Sequence, residues 1–252
     1  MLREALRRLQ GLGGYRVVRR SSPLVATEDL EPDFLELYER CKPFTMTSLP
    51  RMYALYQAVR HVTSSAIPGA FVECGVWRGG SAMLAALSFM HFGDRQREIF
   101  LYDTYAGMTA PGEEDVDPWM APAIATWRKL QRADKNEWCY ASLDEVRQNL
   151  AATGYPAEGL RFVEGKVEDT IPKTLPARIS ILRLDTDWYE STHHELEYLY
   201  PLLSSDGVLI VDDYGYWKGA RKAVDEYFAN GHGRILLNRI DSASRIGVKT
   251  SA

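Results

Sequence analysis

The stretch "AFVECGVWRGGSAMLAALSFMHF" (residues 70–92) decides the fold. It opens as a short run of β-formers that carries one acid, Glu73. Glycines follow at 75, 79 and 80, and then Ser81 leads an apolar segment of helical length. A strand, a glycine-rich turn and a helix in direct succession make one β–α unit, because glycine permits both the tight turn and close backbone approach. The unit recurs downstream. "EIFLYDTY" (98–105), "LRFVEGKV" (160–167), "ISILRLDTD" (179–187) and "GVLIVDDY" (207–214) read as strands. "LDEVRQNLAATG" (143–154) and "WKGARKAVDEYFANG" (217–231) read as helices, each stopping at a glycine. "RILLNRI" and "SRIGVKT" close the chain as a hairpin-like pair around "DSA". Near-continuous apolar strands separated by helices predict an α/β fold with a doubly wound, mostly parallel seven-stranded sheet. Before it, "EDLEPDFLELYERC" (28–41) and "SLPRMYALYQAV" (48–59) have helical apolar spacing.

Bulk properties narrow the function. A chain of 252 residues suits one large α/β domain with appendages. Its net charge of −4 gives no reason to expect nucleic-acid binding. Cys41, Cys74 and Cys139 are widely spaced and form no CxxC pair, which points away from zinc and disulfide frameworks and toward a reducing cytoplasm. No apolar run is long enough to span a membrane. The first residues carry Leu2, Leu6 and Leu9 at helical spacing among basic residues, which reads as a surface helix or frayed end, with an amphipathic arm as the alternative.

In a doubly wound sheet, ligands bind outside the carboxyl ends of the strands, so acids at those ends are the candidate site. Glu73, Gly75 and Gly79 in "ECGVWRGGS" differ from the dinucleotide fingerprint. Trp77 and Arg78 would crowd a pyrophosphate. The spacing suits a loop around the amino-acid part of S-adenosylmethionine, with Glu73 near its ammonium group; a plain strand–helix turn is the alternative. Asp103 ends the second strand, where an acid can accept both ribose hydroxyls of a nucleoside. Asp185 and Asp187 lie two apart and share a face if the backbone is extended. Asp212 and Asp213 end the next strand. Converging carboxylates repel unless a cation neutralises them, and oxygen-only donors select Mg²⁺, Mn²⁺ or Ca²⁺. Helix capping is the competing account of these acids. His193 and His194 follow in a helix, where at most one can face the site. Cys74 is expected in the core. Residues 106–138 form a long segment with Trp119, Trp127 and Trp138, and read as a lid that orders on a ligand.

"FVECGVWRGGS", "LYDTYAGM", "WCYASLDEVRQNLAATGYP", "GKVEDTIP", "ILRLDTDWYEST" and "GVLIVDDYGYWKGARKAVDEY" together resemble the macrocin O-methyltransferase (TylF/MycF-like) family from about Phe44 to the C-terminus. The resemblance implies a Rossmann-like class I methyltransferase fold. Residues 1–64 would form a helical arm and cap, and 65–252 the catalytic domain with a lid at about 107–138. It implies S-adenosylmethionine as methyl donor, Mg²⁺ (or Mn²⁺) as metal, and a sugar hydroxyl of a glycosylated natural product, or of a nucleotide- or lipid-linked deoxysugar, as acceptor. Asp185, Asp212 and Asp213 match metal ligands and Asp187 the general base. Glu73 and Gly75, with Gly79 and Ser81 after them, match the donor loop; Asp103 matches the ribose-binding acid. Thr45 and Met46 resemble a segment that folds over the donor. A homo-oligomer is expected. A catechol-type O-methyltransferase acting on a phenolic diol and a donor-binding scaffold without turnover are the competing readings.

Overall fold

The computed structural model describes Thr27 and residues 29–250. The basic stretch with Leu2, Leu6 and Leu9 lies outside the described residues. Pro32–Ala252 form one compact unit. Helices α1 (Pro32–Cys41) and α2 (Leu49–Ser64) belong to it, so the helical cap foreseen up to residue 64 packs with the sheet from Pro32 onward. The two helices meet through aromatic rings: Phe34 lies 5.0 Å from Tyr53 and 5.3 Å from Tyr56.

The alternating units then follow: β1 (Ala70–Cys74), α3 (Gly80–His91), β2 (Ile99–Asp103), α4 (Ala123–Leu130), α5 (Leu143–Ala151), β3 (Leu160–Glu164), the single turn α6 (Val167–Thr170), β4 (Ile179–Leu184), α7 (Tyr189–Leu199), β5 (Leu203–Val211), α8 (Lys218–Ala229), β6 (Asn238–Arg239) and β7 (Arg245–Val248). The seven strands stand in the order β3-β2-β1-β4-β5-β7-β6. β1 to β5 are parallel, and β7 runs antiparallel between β5 and β6. Strand order reverses between β1 and β4, which opens a crevice at their carboxyl ends. Helix α3 is buried nearly all round, which explains why its sequence is apolar without a polar face.

Strand faces divide as the pleat requires. Val72, Cys74, Tyr102, Leu182, Leu184, Leu209 and Val211 build one core with α7 and α8. Cys74 sits there fully buried, and burial pushes its thiol well above the usual range. Glu73 and Arg183 point to the opposite face. Two stretches differ from their expected lengths. "LRFVEGKV" leaves the sheet at Glu164, because Gly165 takes a φ of +134° and a helical turn follows. "RILLNRI" pairs only at Asn238–Arg239, because Ile235 and Leu237 pack onto the core instead of extending the ladder.

Gly75 ends β1 with φ +82°, and a Cβ there would overlap the backbone carbonyl of Asp185 at the tip of β4. This contact sets the spacing of the two strand tips that flank the crevice. Gly75→Ala combines a left-handed backbone with a backbone collision, so it should cost more than about 2 kcal/mol in urea unfolding; wild-type stability would show that the tips are free to separate.

Candidate active site

A cavity of about 1100 Å³ opens at the strand tips. Thr45, Met46, Gly75, Ser81, Asp103, Asp185, Asp187, Asp212 and Asp213 all line it. Of the residues expected from sequence to bind donor or metal or to act as base, Glu73 and Gly79 do not. Glu73 is fully buried beneath the cavity, where its Oε1 accepts from Ser81 Oγ (2.6 Å) and from Arg183 Nη1 (2.6 Å). Its Oε1 is held by an internal arginine and a serine, while its Oε2 is buried with no hydrogen-bond partner. Gly79 is a packing position: φ is +85°, and a Cβ would press on Leu150 of α5 at 2.9 Å.

Asp103 caps the loop after β1. Its Oδ2 accepts the N–H groups of Val76 (2.6 Å) and Trp77 (3.1 Å), and its Oδ1 accepts that of Tyr105 (2.8 Å). Holding successive amides draws Trp77 and Tyr105 into left-handed backbone, at φ +46° and +51°. Burial still raises the Asp103 carboxyl above its ordinary value. Oδ2 thus has both of its acceptor sites filled, while the second site of Oδ1 has only a long 3.5 Å contact from Thr104 Oγ1.

The acids after β4 and β5 converge, though not through an extended strand. β4 ends at Leu184, and Asp187 adopts φ +70°. The turn brings one oxygen each of Asp185, Asp187 and Asp213 within 4.8 Å of one another. Asp212 is engaged differently. Its Oδ2 accepts from Arg51 Nη1 at 2.6 Å. Its Oδ1 lies 2.8 Å from Arg183 Nη2, yet is buried without an aligned hydrogen bond. Burial, reinforced by neighbouring carboxylates, pushes the Asp185 and Asp213 carboxyls well above the usual range. The same burial raises Asp187 to about 7.

Two arginines absent from the sequence expectations hold this set together. Arg183 is buried and contacts Glu73, Asp185 (2.7 Å), Asp212 and Thr47 Oγ1 (3.2 Å). Arg51 of α2 joins Asp212 to Asp241 (2.7 Å), a residue of the β6–β7 turn. The signal for Arg183 was visible as one charge inside the apolar run "ISILRL". Arg51 had none, because its partners are remote in sequence. His193 and His194 stay outside the cavity: His193 approaches Glu197 at 4.0 Å, and His194 Nε2 lies 2.9 Å from the Ile171 carbonyl.

The long segment after β2 is folded. It carries α4 and two isolated bridges, Val116–Pro122 and Gln131–Asn136. Trp127 Nε1 donates to Met108 O (2.9 Å), and Trp138 packs edge-on against Trp188 and Trp217. Two of the three tryptophans of the expected lid are thus engaged with the protein itself. Trp119 is exposed.

Sheet order, switch-point crevice, glycine loop and β2-tip acid together define a class I S-adenosylmethionine-dependent methyltransferase. Residues 40–246 match the family described as Macrocin-O-methyltransferase (TylF), and the chain belongs to that family of O-methyltransferases. It is 35% identical over 183 residues to the 8-demethyl-8-(2,3-dimethoxy-alpha-L-rhamnosyl)-tetracenomycin-C 4'-O-methyltransferase of Streptomyces olivaceus, covering 73% of this chain and 67% of the relative. It is 31% identical over 204 residues to the mycinamicin III 3''-O-methyltransferase of Micromonospora griseorubida, covering 81% and 76%. The solved structure of the O-methyltransferase NovP superposes with a TM-score of 0.71 at 33% identity, covering 82% of this chain and 83% of that one.

Arg183→Met would strand Glu73 as an uncompensated buried charge, so a loss of about 3–5 kcal/mol in urea unfolding is expected. Adding Glu73→Gln should recover much of it. Equal stability of the single and double variants would mean the pair is not the site's main internal counter-charge.

Proposed function

We propose that the protein methylates a sugar hydroxyl of a glycosylated natural product, with Mg²⁺ held by Asp185, Asp212 and Asp213 and with Asp187 as general base. The observation that carries this is the gathering of four carboxylates at the tips of β4 and β5, beside the donor loop, with only two arginines to offset them. The donor set fits a hard divalent cation on three counts. All its atoms are oxygens, Oδ1 of Asp212 is buried without an aligned hydrogen bond, and neighbouring carboxylates add to burial in raising the Asp185 and Asp213 carboxyls. Bound there, the ion would lower the pKa of an acceptor hydroxyl. Mn²⁺ has the same oxygen preference.

The chain's own groups account for the remaining needs. Thr45, Met46, Gly75, Ser81 and Asp103 line the end of the cavity suited to the donor, which supplies the methyl group. Asp187, with a carboxyl near 7, is matched to taking a proton from the acceptor hydroxyl at neutral pH. Orientation and fixed charges around the forming alkoxide supply the rest of the rate gain.

Charge favours one acceptor class over another. Eight acids line the cavity against Arg51 and Lys166. Arg51 is committed to Asp212 and Asp241, and Lys166 follows β3, next to the tip that carries Asp103. Among the described residues no arginine pair is placed to grip a diphosphate. A neutral glycoside therefore suits this cavity better than a nucleotide-linked sugar. The two curated relatives above carry names that describe methylation at 4'-O of a rhamnosyl tetracenomycin and at 3''-O of mycinamicin III.

EDTA should abolish transfer to a deoxysugar glycoside while leaving donor binding by calorimetry intact, and Asp187→Asn should do the same with metal binding preserved. Full turnover in chelator removes the metal from the reaction, and a fully active Asp187→Asn removes the base. The pH profile has a definite sign. Asp187 must be ionised to accept a proton, and although a bound cation would draw its carboxyl below 7, the rate should fall as the pH drops from 8 to 5. A flat profile over that range contradicts the assignment.

A further inference from the structure

Asp115 is a fully buried carboxylate in the lid, far in sequence from the acids of the site. Its Oδ1 accepts the N–H of Tyr189 at 2.8 Å, the first residue of α7. Its Oδ2 accepts the N–H of Gly112 at 2.7 Å within the lid. It also lies against Gly219 at the start of α8, where a Cβ would overlap Oδ1. Alongside it, Lys218 N–H donates to Val116 O at 3.0 Å, and Ala123 N–H to Asp115 O at 2.9 Å. One lid carboxylate therefore caps α7 from outside its own segment and fills a notch left by a glycine in α8.

Those two helices begin directly after the two acid pairs. Tyr189 is two residues beyond Asp187, which holds a left-handed backbone, and α8 begins after the turn that follows Asp213. We propose that Asp115 is a positioning residue for methyl transfer: it fixes the lid and the Asp187 and Asp213 loops in one arrangement, and Gly219 is glycine to admit it. The proposal rests on the reading of Asp187 as the base at the reaction centre.

Removing the cap loosens the loop that carries Asp187. Asp115→Ala should lower kcat about fivefold, leave the Kd for S-adenosylmethionine within about twofold of wild type, and speed proteolytic cutting within residues 107–138. Asp115→Asn keeps one acceptor oxygen and should fall between the two. Gly219→Ala is the sharper test. Alanine favours a helix over glycine by up to about 1 kcal/mol, so α8 itself gains, yet the new methyl displaces Asp115. It should reproduce the loss in kcat and the faster cutting with a fall in Tm no larger than that of Asp115→Ala. Wild-type kcat and cutting in Gly219→Ala would overturn the proposal. So would a loss of donor binding in Asp115→Ala parallel to the loss in kcat, because that marks a general folding defect. Failure of the base assignment shows separately, as a fully active Asp187→Asn, and leaves the cutting and Gly219 results to decide this proposal.

Discussion

The buried guanidinium of Arg183 is the constraint on which the site depends. It stands on β4 directly across from Glu73 on β1, in the interior where an unpaired charge costs several kcal/mol. By contacting Glu73, Asp185 and Asp212 together, it ties the floor of the crevice to both acid-bearing tips. Its contact with Thr47 Oγ1 reaches the segment just ahead of α2, and Ser81, which it also approaches, links Glu73 to the start of α3. Three layers of the fold thus share one permanent cation, and the acids around it can approach because that charge is already in place.

Strain gathers at the same spot. Trp77, Tyr105, Cys139 and Asp187 all have positive φ without being glycine, and all but Tyr105 line the cavity. Such conformations cost of order 1–3 kcal/mol each and persist only where surroundings over-determine them. Asp103 supplies part of that determination through three amide hydrogen bonds, and the lid supplies another part at α7. The stability withheld at these turns is spent on aiming backbone and carboxylates into one volume.

The sheet was legible because its strands are apolar on both faces and its helices end at glycines, both local properties. The strand-end acids were legible because four carboxylates exceed what capping two helices requires. The rest depends on tertiary neighbours. That Glu73 faces Arg183 follows from the β1–β4 register, which no local pattern encodes. That Asp187 turns left-handed follows from what surrounds it, so the shared face of Asp185 and Asp187 was anticipated through an extended backbone that the chain does not have. The tryptophans of the lid suggested a segment that orders on a ligand, and Trp138 packs with Trp188 and Trp217, residues that follow the acid pairs. The apolar residues of "RILLNRI" looked like a strand because packing and pairing leave the same hydrophobic mark.

The way the lid is fastened bears on how this enzyme type diversifies. Two of its fastenings to the rest of the protein use lid main-chain atoms: the Thr109 carbonyl accepts from Trp188 Nε1 and the Val116 carbonyl from Lys218 N–H. Carbonyls and amides survive almost any change of side chain. Ala121 and Thr126, which face the cavity from this segment, are therefore open to exchange with little effect on how the segment seats, whereas Asp117 accepts the amides of Trp119 and Ala121 and Asp115 ties the segment to α7. A catalytic half built on buried ion pairs resists mutation, while a cover seated partly by its backbone tolerates it away from those two acids. New acceptors can then be sampled in evolution, or in engineering, one face at a time and without disturbing the chemistry beneath.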